Sequence, residues 1–277
     1  MSIVPAAAAD LSYLDPGDGR RIAIRHRLAR AGSPTILFLP GYASDMEGLK
    51  AVAIDRFCAA RGLGCLRLDY SGTGSSSGDF ADGTLDRWLD EVLAAIDLGV
   101  PDGRLILAGS SMGGWIALHA ALRRPGRVVA FLGIAAAPDF TDWGFADEDE
   151  KAILLRDGRL ERLRPDGSVW IRTRDLWQSG RYLRLLDAPI DLPIPVRLVH
   201  GADDTAVPSA IALRLFDRLE SGDLHLRLIK GAGHNLSEPS QLAIILSELD
   251  DLVERTANAT AQAPLVRSEK SVQGSTP

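Results

Sequence analysis

The run Arg104-Leu105-Ile106-Leu107-Ala108-Gly109-Ser110-Ser111-Met112-Gly113-Gly114-Trp115-Ile116-Ala117-Leu118 constrains this chain more than any other. It reads as a buried strand, a sharp turn with a serine at its apex, and a helix starting at about Met112. A serine hydroxyl is a poor nucleophile and needs exposure, a neighbouring base and backbone N–H donors. A strand-to-helix elbow meets these needs, and its flanking glycines avoid Cβ clashes in so tight a turn. The helix also points its positive end at the serine, where negative charge develops in acyl transfer. A chance match to the Gly-x-Ser-x-Gly pattern in a chain this long is roughly a one-in-several event, so its meaning depends on partner residues further along the chain.

An acid and then a histidine must come later in the chain. The apolar strand Val196-Arg197-Leu198-Val199 leads into His200-Gly201-Ala202-Asp203-Asp204-Thr205-Ala206-Val207-Pro208. An acid just past the end of a buried parallel strand lies on the face where α/β sheets bind ligands. Asp203 and Asp204 both qualify; the G-x-x-D-x-x-V-P spacing favours Asp204. The next strand ends in Lys230-Gly231-Ala232-Gly233-His234, with a helical pattern over 236–253 behind it. The predicted catalytic set is therefore Ser111 as nucleophile, His234 as base and Asp204 to orient the imidazole.

The other histidines read as structural. His225 is mid-strand, His119 lies down the elbow helix, and His26 belongs to an early strand. His200 orders the turn before the acid. Asp187 and Asp191 lack the strand-end position. A second oxyanion donor belongs in the loop after the third strand. There, Thr35-Ile36-Leu37-Phe38-Leu39 runs into Pro40-Gly41-Tyr42-Ala43-Ser44. The backbone N–H groups of Tyr42 and Met112 are the candidate oxyanion pair, and the Tyr42 side chain is placed as a wall of the site.

These motifs resemble the α/β-hydrolase superfamily over roughly residues 11–255. Three segments resemble one branch of it more closely: Phe38-Leu39-Pro40-Gly41-Tyr42-Ala43-Ser44-Asp45-Met46 with Lys50-Ala51, Arg67-Leu68-Asp69-Tyr70-Ser71-Gly72-Thr73-Gly74-Ser75-Ser76, and Gly109 to Trp115. That branch holds palmitoyl-protein thioesterases and acyl-glucuronide esterases. The resemblance implies an α/β-hydrolase fold, a mainly parallel eight-stranded sheet flanked by helices and carrying a cap insertion. It implies the same triad on Ser111, Asp204 and His234, and no cofactor. Gly231-Ala232-Gly233-His234-Asn235 matches more loosely, so the activity carries over better than the substrate.

Composition narrows the alternatives. A chain of 277 residues, 46% apolar, buries a substantial core, and alternating strand and helix patterns predict one α/β domain. Net charge is −6 with signs interspersed, which argues against a nucleic-acid partner. No apolar run approaches the ~20 residues of a membrane span. Residues 1–9 lack the basic start of a secretory signal, and the arginines of 20–30 alternate as in a solvent-facing strand. The two cysteines, Cys58 and Cys65, read as packing residues in a reducing compartment, and the chain is placed in the cytoplasm. No metal is implied. The Gly72-to-Gly78 loop lacks both nucleotide-binding fingerprints and reads as a turn before a helix at 85–98. Asp69 is expected to tie loops together at the rim.

Between Val128–Ile134 and the strand at 196–199 lies an insertion of about 139–192, far longer than an ordinary connection. It holds Trp143, Trp170 and Trp177, three of the five tryptophans, with Phe140, Phe145 and Tyr182. Helices are predicted at 148–155 and 175–186 around a hairpin turning at Pro165-Asp166-Gly167. A segment this small must lay its apolar side on the main domain, covering the serine. Trp143 and Trp177 are singled out, with Tyr42, as substrate-binding. Aromatic density favours an acyl chain or aromatic acid over a sugar or peptide. The cap's arginines offer a partner for an anionic group such as a glucuronide carboxylate, but its acids outnumber them and ordinary surface pairing is the favoured reading. Residues 256–277 read as a disordered tail. The predicted function is a serine hydrolase of carboxylic esters or thioesters, acting on small molecules or acylated proteins. A peptidase or amidase on the same scaffold, or a non-catalytic ligand-binding protein, are the alternatives.

Overall fold

A computed structural model describes residues 9–163 and 169–262. Eight strands form one sheet: β1 (Leu11–Leu14), β2 (Ile22–Arg27), β3 (Thr35–Leu39), β4 (Gly64–Leu68), β5 (Leu105–Ser110), β6 (Val128–Ile134), β10 (Val196–Gly201) and β12 (Leu224–Ile229). Their spatial order is β1-β2-β4-β3-β5-β6-β10-β12. Only the β1–β2 and β2–β4 pairings are antiparallel; from β4 to β12 the ladder is parallel. Outside that sheet lie the hairpin β7 (Arg159–Leu163) and β8 (Val169–Thr173), and the short pair β9 (Ile190–Asp191) and β11 (Leu219–Glu220).

The central strands are apolar on both sides because helices cover both sheet faces. Alternate residues therefore feed two cores. Ile36, Phe38, Ile106 and Ala108 pack with Ile54 and Phe57 of α1 (Leu49–Arg61) and Leu249 and Leu252 of α8 (Pro239–Gln262). Leu37, Leu39, Leu105 and Leu107 pack instead with Trp88 of α2 (Leu85–Ala94), Trp115 of α3 (Met112–Arg123) and the cap. The connection from β10 to β12 carries α7 (Ser209–Arg218), whose Leu215 joins that second core. Arg197 in β10 is fully buried and ion-paired with Asp223 and with Asp251 of α8, so its charge ties α8 to the sheet. Cys58 and Cys65 are free and buried.

Between β6 and β10 stand α4 (Phe140–Trp143), α5 (Glu148–Asp157), the β7–β8 hairpin and α6 (Arg174–Ser179). A capping box of Asp147 and Glu150 starts α5. The helix predicted at 175–186 ends earlier, at Ser179, followed by a 3-10 turn over Gly180–Leu183. The predicted turn at Pro165-Asp166-Gly167 lies outside the described residues. Two further expectations shift. The segment 20–30 forms an inner strand whose first half, Ile22 to Ile24, is buried. Its arginines reach outward to partners, Arg25 to Glu47 and Arg27 to Asp55. Secondly, α8 continues to Gln262, into the stretch read as a tail; residues 263–277 lie outside the described residues.

The β5-to-α3 turn depends on close backbone approach. A Cβ on Gly109 would lie 2.4 Å from the Gly113 carbonyl oxygen and 2.6 Å from Gly114 Cα. One on Gly113 would lie 2.2 Å from the Leu39 carbonyl oxygen. These are backbone obstacles that no rotamer relieves. Gly109→Val is expected to cost more than about 4 kcal/mol, placing it among the exceptional single substitutions. Thermal unfolding checks this; a melting midpoint equal to that of the parent protein counts against the packed elbow.

Candidate active site

Ser111 sits between β5 and α3 with φ 52° and ψ −120°, outside the regions an L-residue ordinarily adopts. Such a conformation costs about 1–3 kcal/mol and persists only where its surroundings hold it. Here the Ser111 N–H donates to Ile134 O, while its carbonyl accepts from the Gly114 and Ala137 N–H groups. Among the described residues, the other non-glycine positions with positive φ are Ala43, Ala135, Asp139 and Leu236. They lie in the loops after β3, β6 and β12, so strained backbone gathers at one edge of the sheet.

The residues predicted from the sequence meet at that edge. His234, in the loop after β12, has Nε2 3.1 Å from Ser111 Oγ and Nδ1 2.8 Å from Asp204 Oδ2. An ionised carboxylate only accepts, so Nδ1–H donates to Asp204 and Nε2 is left to accept from the serine hydroxyl. Asp204 is buried, and Oδ1 accepts from the N–H groups of Ala206 at 2.9 Å and Val207 at 2.8 Å. Burial by itself pushes the Asp204 carboxyl upward, but the His234 and Val207 hydrogen bonds outweigh it and hold it below its ordinary value. It therefore stays ionised through the neutral range. Asp203 is exposed, so the structure pairs Asp204 with the imidazole.

The remaining histidines and acids have other partners. His200 Nε2 donates to Val207 O at 2.8 Å, bracing the Asp204 turn. His119 lies 2.8 Å from the Leu183 carbonyl oxygen, tying the cap to α3 beside the Trp115 Nε1 bond to the same oxygen. Asp69 accepts from Met46 N–H at 2.7 Å and Ser75 N–H at 2.8 Å, joining two rim loops. Lys50 Nζ donates to Asn235 O at 2.6 Å, holding the chain just past His234. Asp139 accepts from the N–H groups of Leu185 and Leu186, closing the two ends of the cap together.

A cleft of about 400 Å³ opens over Ser111 and His234, within the range of small-molecule sites. Tyr42, Phe140, Trp143, Phe145, Trp170 and Arg172 form much of its wall. Gly41 lies under it: a Cβ there would stand 3.3 Å from Ser111 Cβ, so this glycine lets the Tyr42 segment approach the serine. Met112 begins α3, where a backbone N–H has no intrahelical acceptor. The Tyr42 ring contacts Phe80, Phe140, Phe145 and Trp170, and its hydroxyl donates to Ile171 O in β8.

One predicted substrate-binding residue is misplaced. Trp177 does not line the cleft: it is 8% exposed, packs into the core beneath α6, and borders a separate surface cavity with Lys151 and Arg184. The side of α6 that carries it faces inward, and Arg181 covers the ring from outside, 5.4 Å from its centroid. Phe140, Phe145 and Trp170 take the wall positions instead. They were visible as cap aromatics, but nothing local to them distinguishes cleft from core. Arg172 is the other wall residue that no sequence signal marked. Its guanidinium lies 4.1 Å over the Trp170 ring and pairs with Glu150.

Comparison with known proteins agrees with this topology. Residues 36–244 match the alpha/beta hydrolase family. Human palmitoyl-protein thioesterase ABHD10, a mitochondrial protein by its name, is 36% identical over 249 residues, covering 88% of this chain and 80% of the relative. Among solved structures, a putative hydrolase from Agrobacterium vitis has a TM-score of 0.82 at 36% identity, covering 90% of this chain and 100% of that one. Mouse alpha/beta hydrolase domain-containing protein 10 has a TM-score of 0.81 at 34% identity, with the same coverage. The chain belongs to the alpha/beta hydrolase family.

Proposed function

We propose that this protein is a serine hydrolase of carboxylic esters or thioesters, working through an acyl-enzyme on Ser111. The observation that carries this reading is His234, hydrogen-bonded to Ser111 on one side and to buried Asp204 on the other, beneath an aromatic cleft. Ser111 Oγ attacks the acyl carbonyl while its proton passes to His234 Nε2. Asp204 stabilises the imidazolium formed in that step. The carbonyl oxygen, now negative, is held by the Tyr42 and Met112 N–H groups, where one such donor contributes about 10²–10³ in kcat. His234 then protonates the departing alcohol or thiol. A water enters, gives a proton to His234 and attacks the acyl carbon; His234 then returns that proton to Ser111 Oγ as the C–O bond breaks, releasing the acid and restoring Ser111.

The rest of the site supports this chemistry. An apolar aromatic wall, Trp143 included, suits an acyl chain or aromatic acid better than a sugar or peptide. Residues of about 139–192 act as a cap that keeps bulk water from the acyl-enzyme, on a hydrolase domain of about 1–255. The thioesterase named in the relatives favours acylated proteins and acyl thioesters as substrates, alongside small-molecule esters. The two buried thiols accord with a reducing compartment, and the cytoplasm is our reading from them; the mitochondrial location in the relatives' name belongs to those proteins. No helix among the described residues is long and apolar enough to cross a membrane.

Three measurements test this. Asp204→Asn is expected to stay folded and lose about three to four orders of magnitude in kcat, because the amide no longer selects the working tautomer. Asp203→Asn serves as its control, and a larger loss there reassigns the acid. Substrate class is read from p-nitrophenyl esters, acyl thioesters and aminoacyl anilides. Esters and thioesters should turn over faster, and a fluorophosphonate probe should label the parent protein but not Ser111→Ala. Faster anilide cleavage indicates an amidase; no turnover and no labelling indicate a binding protein.

A further inference from the structure

Two cavities flank the inner end of the cap hairpin. The first is the cleft over Ser111, about 400 Å³. The second, about 240 Å³, is bounded by Ala43, Thr73, Gly74, Phe80 and Ile171. Trp170 lines both, so its indole is part of the wall of each. The Tyr42 ring stands next to it, their centroids 6.4 Å apart. On one side Tyr42 meets Phe80 of the second cavity at 5.1 Å; on the other it meets Phe140 of the cleft at 6.1 Å.

This partition is held from several directions. The Arg172 guanidinium covers the Trp170 ring at 4.1 Å and is itself fixed by the buried Glu150 carboxylate. The neighbouring residue, Ile171, has its carbonyl bonded by the Tyr42 hydroxyl. A planar cation stacked on an indole favours one ring orientation over its alternatives. The Trp170 ring is therefore held in place between the two spaces.

Resting on the hydrolase reading above, we infer that Trp170 sets the upper limit of acyl length, and that the cavity behind it is a latent subsite for the far end of a longer chain. An acyl group bonded to Ser111 extends along the cleft, and each methylene it keeps there is withdrawn from water. Beyond Trp170 further methylenes gain nothing, since they must fold back or project out. Removing the indole joins the two spaces and restores the gain.

The test is the acyl-length profile of kcat/KM, measured with p-nitrophenyl esters from butanoyl to hexadecanoyl. The parent protein should peak at a medium chain and fall by hexadecanoyl. In Trp170→Ala the hexadecanoyl-to-octanoyl ratio should rise about tenfold, as burial of two extra methylenes gives, chiefly through a lower KM for the long ester. Adding Thr73→Phe, which refills the second cavity from its other side, should return the ratio to that of the parent. Trp170→Phe, which keeps an aromatic ring between the two cavities, should raise it by a smaller factor and serves if Trp170→Ala does not fold. A parent profile highest at hexadecanoyl, a folded Trp170 variant with an unchanged ratio, or no reversal by Thr73→Phe overturns the assignment. Hydrolysis persisting at all lengths in Ser111→Ala would instead refute the nucleophile, which is a separate failure.

Discussion

The close approach of α3 to the end of β5 governs everything the edge of this sheet can do. It places Ser111 on a turn so tight that positions 109, 113 and 114 must lack side chains, with Gly109, Gly113 and Gly114 pressed against backbone or small residues. The strained Ser111 dihedrals are the local consequence, and backbone hydrogen bonds with Ile134, Gly114 and Ala137 hold them. Strain of this size survives only in a frame stiffer than the strain is large. That frame is a parallel sheet buried on both faces, whose alternate residues feed two separate cores.

On that frame the imidazole is positioned from two sides. His234 lies in the loop after β12 and Asp204 in the loop after β10, and the two strands are neighbours in register over their whole length. Sheet pairing thus sets how close the loops carrying Asp204 and His234 come to one another. Burial pushes the Asp204 carboxyl up, but the hydrogen bonds from His234 and the Val207 N–H outweigh it and hold the carboxyl below its ordinary value. His200, near the end of β10, ties the same turn from beneath. Charge is admitted into the interior here only with its hydrogen bonds already in place.

The cap imposes a different constraint. It is anchored by polar contacts at its ends, Asp139 to the Leu185 and Leu186 N–H groups and Trp115 and His119 to Leu183 O. Its middle leans on the site through the Tyr42 hydroxyl and a cluster of rings. Tyr42 therefore links two things: the loop proposed to hold the oxyanion and the hairpin that shapes the cleft. The hairpin and the loop beside Ser111 are thus in direct contact.

How much of this was legible in the sequence depends on the range of each interaction. The elbow, the order serine-acid-histidine and their strand-end loops are local patterns, set by turn sterics and by the apolar runs that precede them. The G-x-x-D-x-x-V-P spacing distinguished Asp204 from Asp203 because the turn's own N–H groups, two and three residues on, bind that carboxylate. Trp143 and Trp177 looked alike, yet one lines the cleft and the other is buried in the core. The difference depends on which side of a short cap helix meets the sheet, and no periodicity within six residues encodes it. Equally hidden were Arg172 over Trp170 and the second cavity beyond it. Linear sequence determined which chemical groups stand at which strand ends; only tertiary packing decided the shape of the space they face, because that shape is a sum of contacts between segments far apart in the chain.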